Sequence, residues 1–85
     1  MSVTAVEAAE KAVGWAEAAE LALKQVDMYR GQAKQYEGKR EMLDASYHRA
    51  LADDFEMYRD RAVGMATMWA HVTGALRVAE SQVQP

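Results

Sequence analysis

Hydrophobic residues recur at alternating steps of four and three along two long stretches of the chain. The first stretch comprises Ala8, Ala12, Trp15, Ala19, Ala22, Val26, Tyr29, Ala33 and Tyr36. The second comprises Leu51, Phe55, Tyr58, Ala62, Met65, Trp69, Val72, Leu76, Ala79 and Val83. This heptad rhythm is typical of helices that pack against one another along a seam. We therefore predict an all-α protein with two long helices, over about residues 5–37 and 40–83.

The start of the first helix has a recognisable capping pattern. Thr4 and Glu7 have the spacing of a capping box, in which the threonine hydroxyl accepts from the amide three residues on and the glutamate reaches back. The chain contains no Pro before residue 85 and no Asn. We expect one single-domain helical hairpin over residues 1–85, with frayed ends at 1–3 and 82–85.

The position of the turn is open between two sites. The two seams are out of register with each other, so the helix must be interrupted between Tyr36 and Leu51. Gly38 suits a helix C-terminus, because glycine readily adopts the left-handed conformation and the cations that follow it face the negative end of the helix dipole. A turn near Ala45, capped by Asp44 or Ser46, is the alternative.

A turn at Gly38 predicts an antiparallel pairing in which the numbers of opposed residues sum to about 77. Trp15 would then pack on Ala62, and large residues would face small ones throughout. The turn near Ala45 would place Trp15 on Leu76 instead. With the turn at Gly38, three residues extend beyond the start of the first helix and need another partner. These are Val72, Leu76 and Val83.

Composition limits what a single hairpin can bury. The 85 residues include 17 Ala, 8 Val, 5 Leu and no Ile, so bulky aliphatic side chains are scarce. A solitary compact core would be poor. The other glycines, Gly14, Gly31, Gly64 and Gly74, lie within the predicted helices, where each could mark a close helix contact.

Residues 62–76 contain no charged side chain and are bounded by Arg61 and Arg77. As a helix this segment is about 22 Å long, short of the roughly 30 Å of a bilayer core, so no transmembrane segment is predicted. Because one neighbouring helix covers only one side, we expect a second copy or another helical protein to cover the rest in a four-helix or larger bundle. The predicted oligomer interface comprises Met65, Met68, Trp69, Val72 and Leu76.

Charge is distributed unevenly. The chain carries a net −3, which argues against an extended nucleic-acid surface, yet residues 28–50 carry a net +2. Cations beside aromatic rings can hold a phosphate and stack a base, so this region is a candidate site for a small anionic or nucleotide ligand. The candidate residues are Tyr29, Arg30, Lys34, Tyr36, Lys39 and Arg40. The alternative is a solvated helix end with spaced ion pairs.

The pattern of reactive residues does not predict an enzyme. There is no Cys, and the scattered glycines form neither a Rossmann nor a Walker loop. His48 and His71 would lie about 34 Å apart on one helix, and neither belongs to a Glu-x-x-His motif. We predict no catalytic residue, metal site or cofactor. The N-terminus lacks the basic start and apolar core of a signal peptide, so we expect a mature, cytoplasmic protein.

One short segment resembles a known family. The stretch Ala66-Thr-Met-Trp-Ala-His71, with Arg77 following, is similar to the last-helix pattern Ala-x-Met-Trp-Ala-Asn in the hairpin domain of phage proteins that sequester cyclic oligonucleotide immune signals, the anti-CBASS sponges. The resemblance covers about a dozen residues, with His71 where the family has Asn. It implies a small helical oligomer that binds a cyclic nucleotide, and it transfers no binding residues.

A second resemblance concerns size and architecture. Small secreted effectors with a Trp-x-Gly turn are similar in length and also form antiparallel hairpins. This chain has no Trp-x-Gly, and none of its tyrosines is followed four residues later by Asp or Glu, the export signal of that family.

Taken together, these features favour a non-catalytic, self-associating binding or adaptor protein. A phage-type sponge and an effector-like hairpin are the alternatives.

Overall fold

The fold is an antiparallel pair of long helices. The computed structural model describes residues 2–83, apart from the Val83 side chain. Helix α1 spans Ala5–Gly38 and helix α2 spans Met42–Val83. The predicted all-α hairpin is confirmed, with helix bounds within two residues of those expected. Of the ends expected to fray, residues 82 and 83 belong to α2, whereas Met1 and residues 84–85 lie outside the described part.

The first turn of α1 is capped as the sequence predicts. The Thr4 hydroxyl accepts a hydrogen bond from the Glu7 amide at 3.2 Å. The same hydroxyl donates to Oε1 of Glu7, also at 3.2 Å, so the glutamate reaches back to the threonine side chain. Capping satisfies backbone donors that have no partner within the helix.

The turn lies at Lys39–Glu41, next to the preferred site. The Glu41 amide donates to the Tyr36 carbonyl at 2.9 Å and the Arg40 amide to the Glu37 carbonyl at 3.0 Å, which is a Schellman motif. The prediction that Gly38 takes the left-handed conformation is wrong. Arg40 takes it, with φ 60°, because the helix continues through Gly38 before the chain reverses.

The contact between the helices is built almost entirely from alanine. Among the described residues, every buried apolar side chain except Val26 is an alanine. All of the predicted α1 seam is buried or half-buried, as expected. The larger seam residues, such as Trp15 and Tyr29, are only half-buried. The helices therefore pack along a line of methyl groups, and the bulky side chains spread to either side.

Two described residues of the predicted α2 seam are exposed. Tyr58 is 46% exposed and Ala79 is exposed, whereas Arg59 and Thr73 turn inward. The Thr73 hydroxyl donates to the Trp69 carbonyl at 2.8 Å, so its burial leaves no polar group without a partner. The seam also begins earlier than residue 51, since Ala45 is fully buried and His48 half-buried. The alternative turn near Ala45 is thereby excluded.

The register between the helices is shifted from the predicted sum of 77. Side-chain contacts across the pair join Tyr36 with His48, Tyr29 with Phe55, Arg30 with Glu56, Glu37 with Arg49, and the Ala5 amide with Glu80. These numbers sum to 84–86. The turn is centred two residues later than assumed, and helical side chains lean toward their own N-termini, which raises the sum further in an antiparallel pair.

One consequence is that α1 covers more of α2 than expected. The Ala5 amide, at the start of α1, lies 3.0 Å from a carboxylate oxygen of Glu80. Val72 and Leu76 precede Glu80 and are half-buried, so the expectation that they extend beyond α1 is wrong. The Val83 side chain, the third residue of that expectation, lies outside the described part.

The hairpin is a rod of 70 × 16 × 14 Å. Its radius of gyration is 19.2 Å, whereas a compact domain of this length has about 12 Å. A methyl group added at any of the five glycines would meet nothing within 4 Å, so the expectation that Gly14, Gly31, Gly64 and Gly74 mark close contacts is not met within the hairpin. Over residues 2–83, neither helix has an apolar stretch of membrane-spanning length.

Candidate functional site

The seam leaves a groove on each flank of the hairpin, and the two flanks differ in charge. On one flank a depression of about 170 Å³ lies between the helices. It is lined by Ala18, Leu21, Ala22, Gln25, Phe55 and Tyr58. None of these side chains is charged. We call this side of the hairpin the low-charge flank.

Helical spacing extends the low-charge flank along the rod. Steps of three and four from Leu21 give positions 14, 18, 21, 25, 28, 32 and 35 of α1, none of which is charged. The same steps from Tyr58 give positions 47, 51, 54, 58, 61, 65, 68, 72 and 75 of α2, where Asp54 and Arg61 are the only charges. Leu21 is 61% exposed and Tyr58 46% exposed. Toward the open end, Lys11 lines a depression with Gly14, Trp15 and Ala18. This flank is thus a strip of low charge whose exposed apolar groups, such as Leu21 and Tyr58, the hairpin itself does not cover.

The opposite flank, which we call the charged flank, carries charged residues along its length, with several apolar side chains at its middle. Leu23, Val63 and Ala66 line a groove of about 340 Å³ at its middle, together with Glu20 and Arg59. Toward the open end of the hairpin, Val6 and Val13 lie in a groove of about 500 Å³ with Glu10, Glu17 and Arg77. Apolar groups on this side therefore alternate with charged ones.

A basic groove of about 340 Å³ lies at the turn end of the charged flank. It is lined by Arg30, Ala33, Lys34, Glu37, Arg49, Ala52 and Asp53. Arg30 forms an ion pair with Glu56 at 2.7 Å, and Arg49 forms one with Glu37. Lys34 has no ion-pair partner among residues 2–83. The structure thus brings together two of the predicted anion-binding residues, Arg30 and Lys34, and adds Arg49.

The predicted tyrosines lie in a different place, on the seam at the turn end. The rings of Tyr36 and His48 have centroids 4.8 Å apart, and those of Tyr29 and Phe55 are stacked at 5.7 Å. Nδ1 of His48 lies 2.7 Å from the Asp44 carbonyl, which can only accept, so Nδ1 carries the proton. These aromatic rings pack against one another between the two helices.

The last two predicted anion-binding residues sit at the turn itself. The ammonium of Lys39 lies 6.0 Å from the centroid of the Tyr36 ring, at the limit of a cation–π contact. Arg40 is exposed in the left-handed turn position. The six candidates therefore divide among the groove, the seam and the turn.

The predicted oligomer interface divides between the seam and the low-charge flank. Trp69 and Leu76 lie on the stripe that faces α1 and are half-buried. Met65, Met68 and Val72 fall on the low-charge flank, and Met68 is 42% exposed. The ammonium of Lys11, on α1, lies 5.3 Å from the centroid of the Trp69 ring.

Sequence reasoning missed the α1 half of this surface. Leu21, Gln25 and Met28 belong to the low-charge flank, and Tyr58 was assigned to the seam instead. A usable signal was present in the sequence: along α1, one set of positions at helical spacing carries no charge from residue 14 to residue 35. The hydrophobic pattern did not reveal this surface, because several of its positions are glutamines, which are uncharged but polar.

Outside the basic groove, Arg59 forms ion pairs with nearby carboxylates of its own helix. Arg59 bonds to Oδ1 of Asp60 at 2.8 Å and lies 3.9 Å from Glu56. The hydrogen bonds that the Arg59 guanidinium donates to the Asp60 carboxylate raise the pKa of Arg59 above its ordinary value. Over the described residues, no three His, Asp or Glu side chains are grouped so that they could hold a metal ion.

No protein-family model, curated protein or solved structure matches this chain significantly.

Proposed function

We propose that this protein is a non-catalytic binding or adaptor protein that acts by associating through its low-charge flank, forming a four-helix or larger bundle. The observation that carries this proposal is the uncovered strip that includes Leu21, Tyr58 and Met68. Exposed apolar strips of this length on a water-soluble helix pair mark surfaces for association.

The surface area of the hairpin supports the same proposal. The chain exposes 6357 Å², whereas a compact monomer of its mass exposes about 5,000 Å². The excess of roughly 1,300 Å² exceeds the about 800 Å² that each partner buries in a standard interface. Packing one flank against another helical surface would bring the exposed area per chain to an ordinary value.

Sedimentation equilibrium tests the proposal directly. We expect the unmodified protein to have a mass of at least twice the 9.5 kDa of one chain. Tyr58→Glu and Leu21→Glu should each shift the protein to the monomer, because a carboxylate would be buried without a partner. Met57→Glu is the matched control, since Met57 is 69% exposed and is not one of the positions that define the flank. A stable 9.5 kDa monomer of the unmodified chain would reject self-association.

The basic groove supports a second candidate function, the sequestration of a small anionic nucleotide. Its support is the convergence of Arg30, Lys34 and Arg49 on one concave site. Two observations weigh against it as the first choice: Glu37 and Asp53 line the same groove, and the tyrosine rings are stacked elsewhere. The sponge-like segment at residues 66–77 also begins about 21 Å from Ala52 in the groove, by helical rise.

Calorimetry with cyclic di- and trinucleotides tests this candidate. Binding heat should be lost in Lys34→Glu and kept in Lys24→Glu, which makes the same charge change at an exposed position outside the groove. Absence of heat from the unmodified protein would remove the sponge interpretation and leave the association proposal untouched.

A further inference from the structure

We infer that the charged flank binds a basic amphipathic helix of another protein, in the groove that runs between α1 and α2 from the open end to the middle of the rod. This surface is separate from the low-charge flank, so the inference goes beyond the proposed function and does not depend on it.

The groove is long enough for a helix of about five turns. Its two depressions, of about 500 Å³ and about 340 Å³, follow one another along the same flank. From Val6 in the first to Leu23 in the second, α1 rises by about 26 Å. Four branched apolar side chains line the two depressions, and each is at least 42% exposed: Val6, Val13, Leu23 and Val63. A third helix that lays an apolar face in this groove would cover them.

The α1 side of the groove is acidic. Glu10 and Glu17 line the larger depression and Glu20 lines the smaller one, and all three are exposed. Within residues 2–83 none of the three has an ion-pair partner. Glu17 and Glu20 are three residues apart on one helix, and like charges at this spacing repel. Lysine or arginine side chains on a docked helix would pair with these carboxylates and offset the repulsion.

The two cations of the groove do not balance this charge. Arg59 is already bonded to Asp60 at 2.8 Å, and Arg77 shares its depression with two glutamates. In the register of the cross-helix contacts, residues 5–23 lie opposite 62–80, and this open half of the rod carries the whole net charge of −3. The groove lies in that half, so charge complementarity favours a basic partner.

A second copy of the chain does not provide such a partner. Residues 24–61 contain as many acidic as basic side chains, and residues 5–23 are acidic. Residues 62–80 contain one residue of each sign. The occupant is therefore a helix from a different protein, with an apolar face and basic residues beside it.

Synthetic peptides test this chemistry. The probe is a peptide of about 18 residues, with leucines on one helical face and lysines elsewhere, titrated into the full chain by calorimetry. The comparison peptide has glutamate in place of each lysine. We expect the lysine peptide to bind one per chain and the glutamate peptide to bind roughly tenfold more weakly, because its carboxylates would face those of α1. Added NaCl should weaken binding of the lysine peptide.

Two matched pairs of variants locate the site. Glu17→Lys in the groove and Glu41→Lys at the turn make the same charge change at exposed positions. Val13→Gln in the groove and Val78→Gln, on α2 outside both depressions, make the same apolar loss at 57% and 59% exposure. We expect severalfold weaker binding of the lysine peptide in Glu17→Lys and Val13→Gln and nearly unchanged binding in the two controls. Circular dichroism checks that each variant is helical.

Several results would overturn the inference. Absence of binding by the lysine peptide, or equal binding of both peptides, would show that the groove selects no basic helix. Equal losses in Glu17→Lys and Glu41→Lys would show attraction to net charge alone. A lower sedimentation mass of Val13→Gln without peptide would show that a second copy occupies the groove.

One further variant separates this inference from the proposed function. Tyr58→Glu, which should be monomeric, should still bind the lysine peptide, because Tyr58 lies on the other flank. Loss of peptide binding in Tyr58→Glu would assign the peptide to the low-charge flank and overturn the inference. A monomeric unmodified chain that binds the lysine peptide in the groove would reject self-association and leave the inference standing.

Discussion

The backbone amide of Ala5 donates a hydrogen bond to Oε1 of Glu80 at 3.0 Å, which joins the first residue of α1 to the last turns of α2. The amides at the start of a helix have no partner within it, and the helix dipole makes them a favourable site for a carboxylate. This contact links the two helices at the open end of the hairpin, where no turn connects them.

Removing this contact should loosen the open end. We expect Glu80→Ala to lower the free energy of unfolding by about 0.5–1 kcal/mol, because the contact is only part-buried. Urea unfolding followed by circular dichroism measures this, at one fixed protein concentration because association shifts apparent stability. Glu80→Gln keeps the acceptor oxygen and should lose less. Unchanged amide exchange in the first turn of α1 in Glu80→Ala would contradict the role of the contact.

Two substitutions, one in the turn and one at the end of α1, should stabilise the hairpin. Arg40 has φ 60°, which costs an L-residue about 1–2 kcal/mol, so Arg40→Gly should stabilise the hairpin by about 1 kcal/mol. Gly38 is helical and has open space at its Cβ position, so Gly38→Ala should add up to about 1 kcal/mol. Thermal unfolding measures both. Lys39→Gly, at φ −89°, is the control that should give no gain.

Overpacking the alanine seam should destabilise the pair of helices. Ala62 is fully buried, so Ala62→Leu forces the helices apart and should cost about 1–3 kcal/mol. Ala50→Leu introduces the same side chain at an exposed position of α2 and should be nearly neutral. Equal urea midpoints for the two variants would show that close approach along the seam contributes nothing to stability.

The ring of His48 should stabilise the turn end through its aromatic neighbours. Its centroid lies 4.8 Å from that of Tyr36 and 6.0 Å from that of Tyr29. The ring of Tyr47 also makes an edge contact with that of His48, at a centroid distance of 5.4 Å. His48→Ala removes all three contacts and should cost about 1.5–4.5 kcal/mol, at roughly 0.5–1.5 kcal/mol for each aromatic pair. His48→Phe keeps the ring and should recover most of that loss, as measured by chemical unfolding. An equal loss in both variants would point instead to the hydrogen bond with the Asp44 carbonyl.

Much of the fold could be predicted from sequence because helix periodicity is a local property. The α1 seam from Ala8 to Tyr36 was predicted in full, and the turn was placed within three residues. The errors at Tyr58 and Arg59 have a physical cause. A helix presents two neighbouring residues at the edge of its contact stripe, and which one turns inward depends on the partner helix.

The candidate site was less predictable for the same reason. The sequence indicated an uncharged surface on α2, and Met65, Met68 and Val72 do fall on the low-charge flank. It did not indicate that Leu76 would be half-buried against α1, or that Leu21 and Tyr58 would line one depression. Both facts depend on the register between the two helices, and a small number of residues near the turn determine that register along the whole rod.

By itself, the sequence determined the helical composition of the chain, the alanine line along which its helices meet and the uneven distribution of charge along the chain. These follow from residue spacing and count. Only the tertiary structure decided how far one helix slides along the other, since that depends on the left-handed conformation of Arg40 and on the lean of side chains toward their own N-termini. That slide leaves the low-charge flank open along the rod, where a second surface can pack.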